Sequence, residues 1–202
     1  YRWENSSGKS GYSVACANEW KHGICYKPQI KCSDCKSRQL LPITQEVLYS
    51  HLTGQKVIGI YPLLATDQCR LLAVDFDKSD WKNCVTAFSE ACLSLNIPFL
   101  VERSRSGHGA HVWIFFSEPI AAKQARLMGA GILDKAMELY PALDFESYDR
   151  MFPNQDHMPA GGFGNLIALP LQKHARALGN STFIDSNFNA FTDPWTVLQQ
   201  TE

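Results

Sequence analysis

The stretch Cys69-Arg70-Leu71-Leu72-Ala73-Val74-Asp75-Phe76-Asp77 is an apolar, strand-like run that ends in two acids. Successive side chains of a strand point to opposite faces, so Val74 and Phe76 share one face while Asp75 and Asp77 share the other. The two carboxylates then start about 6.6 Å apart, at ~3.3 Å per residue. That separation lets a pair of acids bridge two divalent cations ~3.5–4 Å apart. A strand exit with exposed charge is the alternative.

The segments around this run alternate between the two regular periods. Residues 44–53 read as a short helix capped by Thr44 and ended by Gly54. Residues 56–61 are rich in β-formers and read as a strand. Ser79-Asp80 starts a helix whose inner face is Val85, Phe88, Cys92 and Leu95. Residues 97–103 and 110–116 read as two strands. Residues 121–140 form a long helix, stopped by Pro141, with Ala122, Ala125, Leu127, Met128, Leu133, Ala136, Met137 and Tyr140 in or near the core. Residues 141–163 read as irregular, and 164–171 and 181–185 return to strand. The pattern predicts an α+β domain over residues 44–202.

The two middle strands are joined by Ser104-Arg105-Ser106-Gly107-His108-Gly109, and His111 follows at the strand entrance. Hydroxyls, arginines and glycines in a tight turn make an anion-binding loop, because backbone N–H groups close on phosphate oxygens while Arg supplies bidentate charge. Gly107-x-Gly109 has no helix after it and is not a dinucleotide fingerprint. A third carboxylate to complete a set with Asp75 and Asp77 has three candidates in the irregular stretch, Asp144, Asp149 and Asp156, among which spacing does not choose.

Before the core lies a different chemistry. Residues 1–13 are polar, rich in Ser and Gly, and read as a tail or linker. Residues 14–43 hold Cys16, Cys25, Cys32 and Cys35. Two thiols spaced as Cys32-x-x-Cys35 face one tetrahedral ion, so the four are expected to hold one structural Zn²⁺, with His22 as a substitute for Cys16. Unmetallated packed cysteines or a redox pair are the alternatives. The remaining Cys69, Cys84 and Cys92 are expected to be core thiols. Between Trp20 and Arg38 stand Lys21, Lys27, Lys31, Lys36 and Arg38 against the single acid Asp34, a local charge of +4. A zinc tetrathiolate would lower it to about +2. With Trp20 and Tyr26 interleaved, this is either a nucleic-acid footprint or a solvated face.

Composition bounds the rest. The chain has 202 residues, 45% hydrophobic and 19% charged, which excludes wholesale disorder and allows a sizeable core. Net charge is −1, so any nucleic-acid partner must use a local patch. Seven cysteines, an odd and clustered set, fit a reducing compartment. No apolar run approaches the ~20 residues needed to span a bilayer, and the start, Tyr1-Arg2-Trp3-Glu4-Asn5, has no signal-peptide pattern. A trimmed fragment of a longer cytoplasmic protein is expected.

An acid pair at a strand end, a Ser/Gly loop ending in His and a later Asp follow the order of the three motifs of the archaeo-eukaryotic primase superfamily. The wording is closer still to the primase-polymerase domain of TOTE conflict systems, which similar CRISPR-associated domains share. The resemblance lies in Cys16…Glu19-Trp20…Gly23-x-Cys25-x-Lys27-Pro28…Lys31-Cys32…Cys35, Ala73-x-Asp75-Phe76-Asp77, Glu102-Arg103-Ser104-Arg105-Ser106-Gly107…His111-Val112-Trp113, Ser147-Tyr148-Asp149-Arg150…Phe152-Pro153-Asn154-Gln155-Asp156 and Gly161 to Gln172. It covers about residues 14–198.

This resemblance implies an RRM-like catalytic sheet and template-directed synthesis from nucleoside triphosphates with two Mg²⁺ or Mn²⁺ ions. It implies a single-stranded DNA or RNA template, a primer strand, and helicase and nuclease regions in a longer parent chain. By position, Asp75 and Asp77 match the first motif, His111 the second and Asp149 the third. Ser104, Arg105 and Ser106 fall where the incoming triphosphate is met, and Asn165 and Gln172 lie on the strand bordering the nucleotide. One departure stands out: many relatives have Ser-x-His in the second motif, whereas Gly109 stands two before His111 here. A backbone N–H, or Ser106, would have to replace that hydroxyl. A two-metal nuclease and a non-catalytic zinc-knuckle binding module are the competing readings.

Overall fold

The computed structural model describes residues 1–143 and 149–201. Its first thirteen residues are not a tail. Arg2–Glu4 (β1) and Ser10–Tyr12 (β2) pair antiparallel, Gly8 turning between them at φ 80°. The hairpin is tied to the rest of the chain by the Arg2 N–H, which donates to the Val57 carbonyl at 3.0 Å, and by the Tyr1 hydroxyl, which donates to Glu19.

The other elements follow in chain order. Helix α1 (Gln45–Leu52) opens where Thr44 Oγ1 accepts from the Val47 N–H at 3.4 Å. After it come β3 (Gly59–Ile60), β4 (Gln68–Phe76), α2 (Trp81–Ser94), β5 (Leu100–Arg103), β6 (Ala110–Ala121) and α3 (Ala122–Leu139). Then follow β7 (Arg150–Phe152), β8 (Ile167–Ala168), α4 (Lys173–Ala177), β9 (Thr182–Ile184) and α5 (Pro194–Gln199). Strands β3 and β8 form a ladder of their own, while β7-β4-β6-β5-β9 form one antiparallel sheet among the described residues. The run β4–α2–β5–β6–α3–β7 is a β-α-β-β-α-β unit.

The sheet separates two apolar layers. On one face Leu72, Val74, Phe76, Val112 and Ile114 pack under α2 and α3, against Val85, Phe88, Ile132 and Leu133. Gly129 lets α3 approach closely: a Cβ there would lie 2.9 Å from both Leu72 and Met151. On the other face Ala73, Leu100, Trp113, Phe152 and Phe183 pack against Ile167 and Leu171. Strand alternation thus divides Val74 and Phe76 from Asp75 as the sequence predicts. Cys69, Cys84 and Cys92 are all buried, and burial pushes the Cys92 thiol up to about 12.

Two expected core residues are not in the core. Leu95 is the C-terminal cap of α2 and leaves its buried stripe, and Leu127 faces solvent on α3. The expected strands at 56–61 and 164–171 shorten to β3 and β8, two residues each. His51 joins these pieces from inside: the Ile58 N–H donates to its Nδ1 at 3.0 Å, and its Nε2 stands 2.9 Å from the Pro170 carbonyl. Burial holds its pKa below the ordinary histidine value, so it is a neutral, structural ring. Among the described residues no helix is long and apolar enough to cross a membrane.

The cysteine segment is docked on the core rather than strung from it. Arg38 donates to the Gly161 carbonyl at 2.7 Å and stacks its guanidinium 4.7 Å from the centre of the Phe163 ring. Gly161 is at φ 69°, and a Cβ there would lie 2.7 Å from the Ser33 carbonyl oxygen, so only glycine fits this seam.

Candidate active site

Strand register assembles the site. Asp75 pairs with Arg150 on one side and with His111 on the other, His111 pairs with Glu102, and Glu102 with Phe183. One row therefore crosses all the strands of the sheet, as Arg150, Asp75, His111, Glu102 and Phe183. Two residues further along is an apolar row, Phe152, Ala73, Trp113 and Leu100, on the same face. The polar row lies at the end of that face, where β4 runs out into Asp77.

His111 is fixed from both sides. Its Nδ1 stands 2.9 Å from Glu102 Oε2, and its Nε2 stands 3.4 Å from Asp75 Oδ1. Burial works against charging the ring, but Glu102, then Asp75 and Asp77, outweigh it and raise its pKa above the ordinary histidine value. Asp75 is pushed the other way from most surface carboxylates. Burial first, then the neighbouring Asp77 and Asp149, raise its pKa, against the pull of His111 and Arg150. Carboxylates crowded together in a partly dry site hold unspent affinity for cations.

Of the three candidates for a third acid, the chain brings Asp149 to the pair. Its backbone N–H donates to the Asp75 carbonyl at 2.8 Å, and its carboxylate accepts from Arg150 Nε. Asp156 is held elsewhere, by Arg126 on α3. Asp144 lies outside the described residues, as do Ser147 and Tyr148.

The Ser104–Gly109 loop is a tight turn. The Ser104 N–H donates to the Gly109 carbonyl at 2.9 Å, and the Gly107 N–H to the Ser104 carbonyl at 3.0 Å. Ser106 Oγ lies 3.1 Å from Ser104 Oγ and accepts from the His108 N–H at 3.2 Å, so this hydroxyl is engaged within its own turn. Arg103 faces away, donating to the Gly179 and Phe188 carbonyls, and leaves Arg105 as the loop's half-buried cation. Asn165 sits half-buried ahead of β8. Gln172 is buried, and its Oε1 accepts from the His174 and Ala175 N–H groups, capping α4.

The loop also explains the missing serine. A Cβ at position 109 would lie 2.5 Å from the Phe76 carbonyl oxygen and 3.0 Å from the Asp77 Cα. The loop closes on the end of β4 so tightly that no side chain fits. Gly109→Ser, which would restore the common Ser-x-His pattern, is therefore expected to cost about 1–3 kcal/mol of stability by overpacking. It should also push the end of β4 at Asp77 out of place. A thermal melt checks this, and a Gly109→Ser protein as stable as wild type contradicts the close fit.

Glu102 is the residue that motif reasoning did not select. It is 2% exposed, and its carboxylate accepts from the Trp113 Nε1–H at 2.9 Å and the Ser181 hydroxyl at 3.3 Å in addition to facing His111. The signal in the sequence was its position: it alternates with Leu100 on the buried face of β5, where a lone acid needs partners.

The cysteines share one place too. Cys16, Cys25, Cys32 and Cys35 line a single small cavity of about 30 Å³, and Cys16 Sγ accepts from the Gln39 N–H at 3.3 Å. Among the described residues, neither these thiols nor the acids are drawn together into a finished cluster of metal ligands.

A mixed α/β fold whose sheet carries acids, a histidine and a Ser/Gly turn at one end is consistent with a primase-type nucleotidyltransferase domain. The chain belongs to the TOTE conflict system archaeo-eukaryotic primase domain family, whose model matches residues 1–202. No curated protein matches it.

Proposed function

We propose that the chain is a template-directed primase-polymerase that adds nucleotides from nucleoside triphosphates to a primer on a single-stranded DNA or RNA template. The observation that carries this reading is the row Arg150, Asp75, His111 and Glu102, delivered by four strands to the end of the sheet that the Ser104–Gly109 loop overhangs. The β-α-β-β-α-β unit supports describing that sheet as RRM-like.

In this reading Asp75, Asp77 and Asp149 hold two Mg²⁺ or Mn²⁺ ions, and their donor chemistry, hard carboxylate oxygens, fits those cations. When bound, the ions acidify the attacking 3′-hydroxyl and neutralise the departing pyrophosphate. His111, held by Glu102 through Nδ1 and facing Asp75 through Nε2, would supply a charge-assisted donor to the triphosphate beside Asp75, and Ser104, Arg105 and Ser106 supply the turn that meets it. Asn165 borders the same nucleotide, and Gln172 contributes by fixing the segment behind it.

The four cysteines fit one structural Zn²⁺ by donor type and shared cavity, making 14–43 a zinc-binding element on the 44–202 core. A cytoplasmic setting beside helicase and nuclease regions of a longer chain completes the proposal.

The test incubates protein with a primed template, labelled nucleoside triphosphates and Mn²⁺ or Mg²⁺. Primer extension is expected. Template loss would favour a two-metal nuclease, and binding without reaction a non-catalytic module. Metal analysis should find near-stoichiometric zinc, which Cys32→Ser removes together with part of the stability, because structural zinc binding is folding free energy. Zinc content unchanged by Cys32→Ser would rule out that ligand set.

A further inference from the structure

The cysteine element exposes large side chains that the fold does not bury. Trp20 is 68% exposed and Tyr26 55%. Trp20 also occupies a backbone conformation that disfavours it, φ 61°, where glycine would be the unstrained choice. A bulky ring held in a strained, exposed position costs stability and needs another reason to be there. Lys27 Nζ lies 5.7 Å from the centre of the Trp20 ring and is itself steadied by Glu19 at 2.7 Å. Lys21, Lys31 and Lys36 of the same segment are also exposed, against the single exposed acid Asp34.

Exposed rings with cations beside them are the surface to which single-stranded nucleic acid binds without sequence preference. Bases stack on the rings while lysines follow the phosphates. A protein partner fits less well, because lysine is depleted at the centres of protein interfaces.

We propose that Trp20, with Lys27 beside it, and Tyr26 form a stacking platform for the single strand that the catalytic row copies, with the exposed Lys21, Lys31 and Lys36 of the same segment supplying charge for its phosphates. The proposal rests on the primase-polymerase reading for the strand's role, though not for its binding.

The test measures anisotropy of a fluorescein-labelled single strand of mixed sequence, about 16 nucleotides long, without nucleoside triphosphates. Trp20→Gly relieves the backbone and removes the ring. It is expected to hold or raise the melting temperature while weakening strand binding about 5- to 100-fold, the range for losing one base stack. A ring with a structural role would give the opposite sign on melting. Lys31→Gln with Lys36→Gln should lower the slope of log affinity against log salt by about 0.7 per lysine. Unchanged affinity in Trp20→Gly, or an unchanged salt slope in the lysine variant, would overturn the platform and leave this face to a protein partner. If the wild-type protein fails to extend a primer while Trp20→Gly still loses strand binding, the catalytic reading fails and the platform stands.

Discussion

Asp75→Asn is expected to reduce nucleotide addition by at least about a thousandfold, while the melting temperature stays level or rises. The two halves of this expectation have separate causes. The carboxylate sits between His111 at 3.4 Å and the charges of Asp77 and Asp149, so removing its charge removes the centre of the proposed cation-binding set. Its folded-state pKa, however, is raised by burial and by those neighbouring acids. A raised carboxyl pKa means that the folded protein binds a proton more tightly than the unfolded chain does. Its contribution is therefore favourable below the unfolded pKa, falls away as pH rises through the folded one, and is a cost at neutral pH. The amide has no such cost. Extension assays and calorimetry measure the two effects side by side, and an Asp75→Asn protein retaining a tenth of wild-type activity would remove Asp75 from the chemistry. Asp149→Ala should behave like Asp75→Asn, whereas Asp156→Ala, whose carboxylate faces Arg126, should keep most of its activity.

Glu102→Ala should do the reverse and lose stability and activity together. The carboxylate accepts from Trp113 and Ser181 and faces His111, all inside the sheet. Cutting it back leaves buried donors without acceptors, each costing about 1–3 kcal/mol, so a total of about 3–5 kcal/mol is expected. Glu102→Gln keeps an acceptor oxygen for both rings and should cost about 1–2 kcal/mol. A melting series across wild type, Gln and Ala shows the order. If Ala melts with wild type, the network does not hold the sheet. His111→Ala, which keeps Glu102 bonded to Trp113, should raise the nucleotide requirement and leave zinc content and template binding unchanged.

Much of this site could be read from residue order because it rests on strand alternation. Val74 and Phe76 go to the core and Asp75 to the opposite face, as period-two patterning requires, and the Ser/Gly run between two strands becomes the overhanging turn. What the sequence hid depends on contacts distant in the chain. The hairpin of residues 1–13 is composed like a linker and is held by partners at Glu19 and Val57. Strand β6 continues past Phe116 to Ala121 because Gln68 and Cys69 pair with Ala121 and Ile120, beyond an irregularity where Phe116 to Pro119 of β6 stand opposite Arg70 alone. Helices α4 and α5 are too short to show a helical period and depend on side-chain caps, Gln172 and Asp193. The role of Glu102 is set by cross-strand neighbours that no linear motif displays.

The polar row has a consequence for how this protein comes into being. Its members are made in the order Asp75, Glu102, His111 and Arg150, yet Asp75 lies between the last two in space. A chain emerging from the ribosome therefore holds no working portion of the site until β7 has been synthesised and has found the open edge of β4. Such long-range pairing forms late. Under the proposed function, incomplete or interrupted chains are thus catalytically silent, and nucleotide addition begins only in molecules whose sheet has closed.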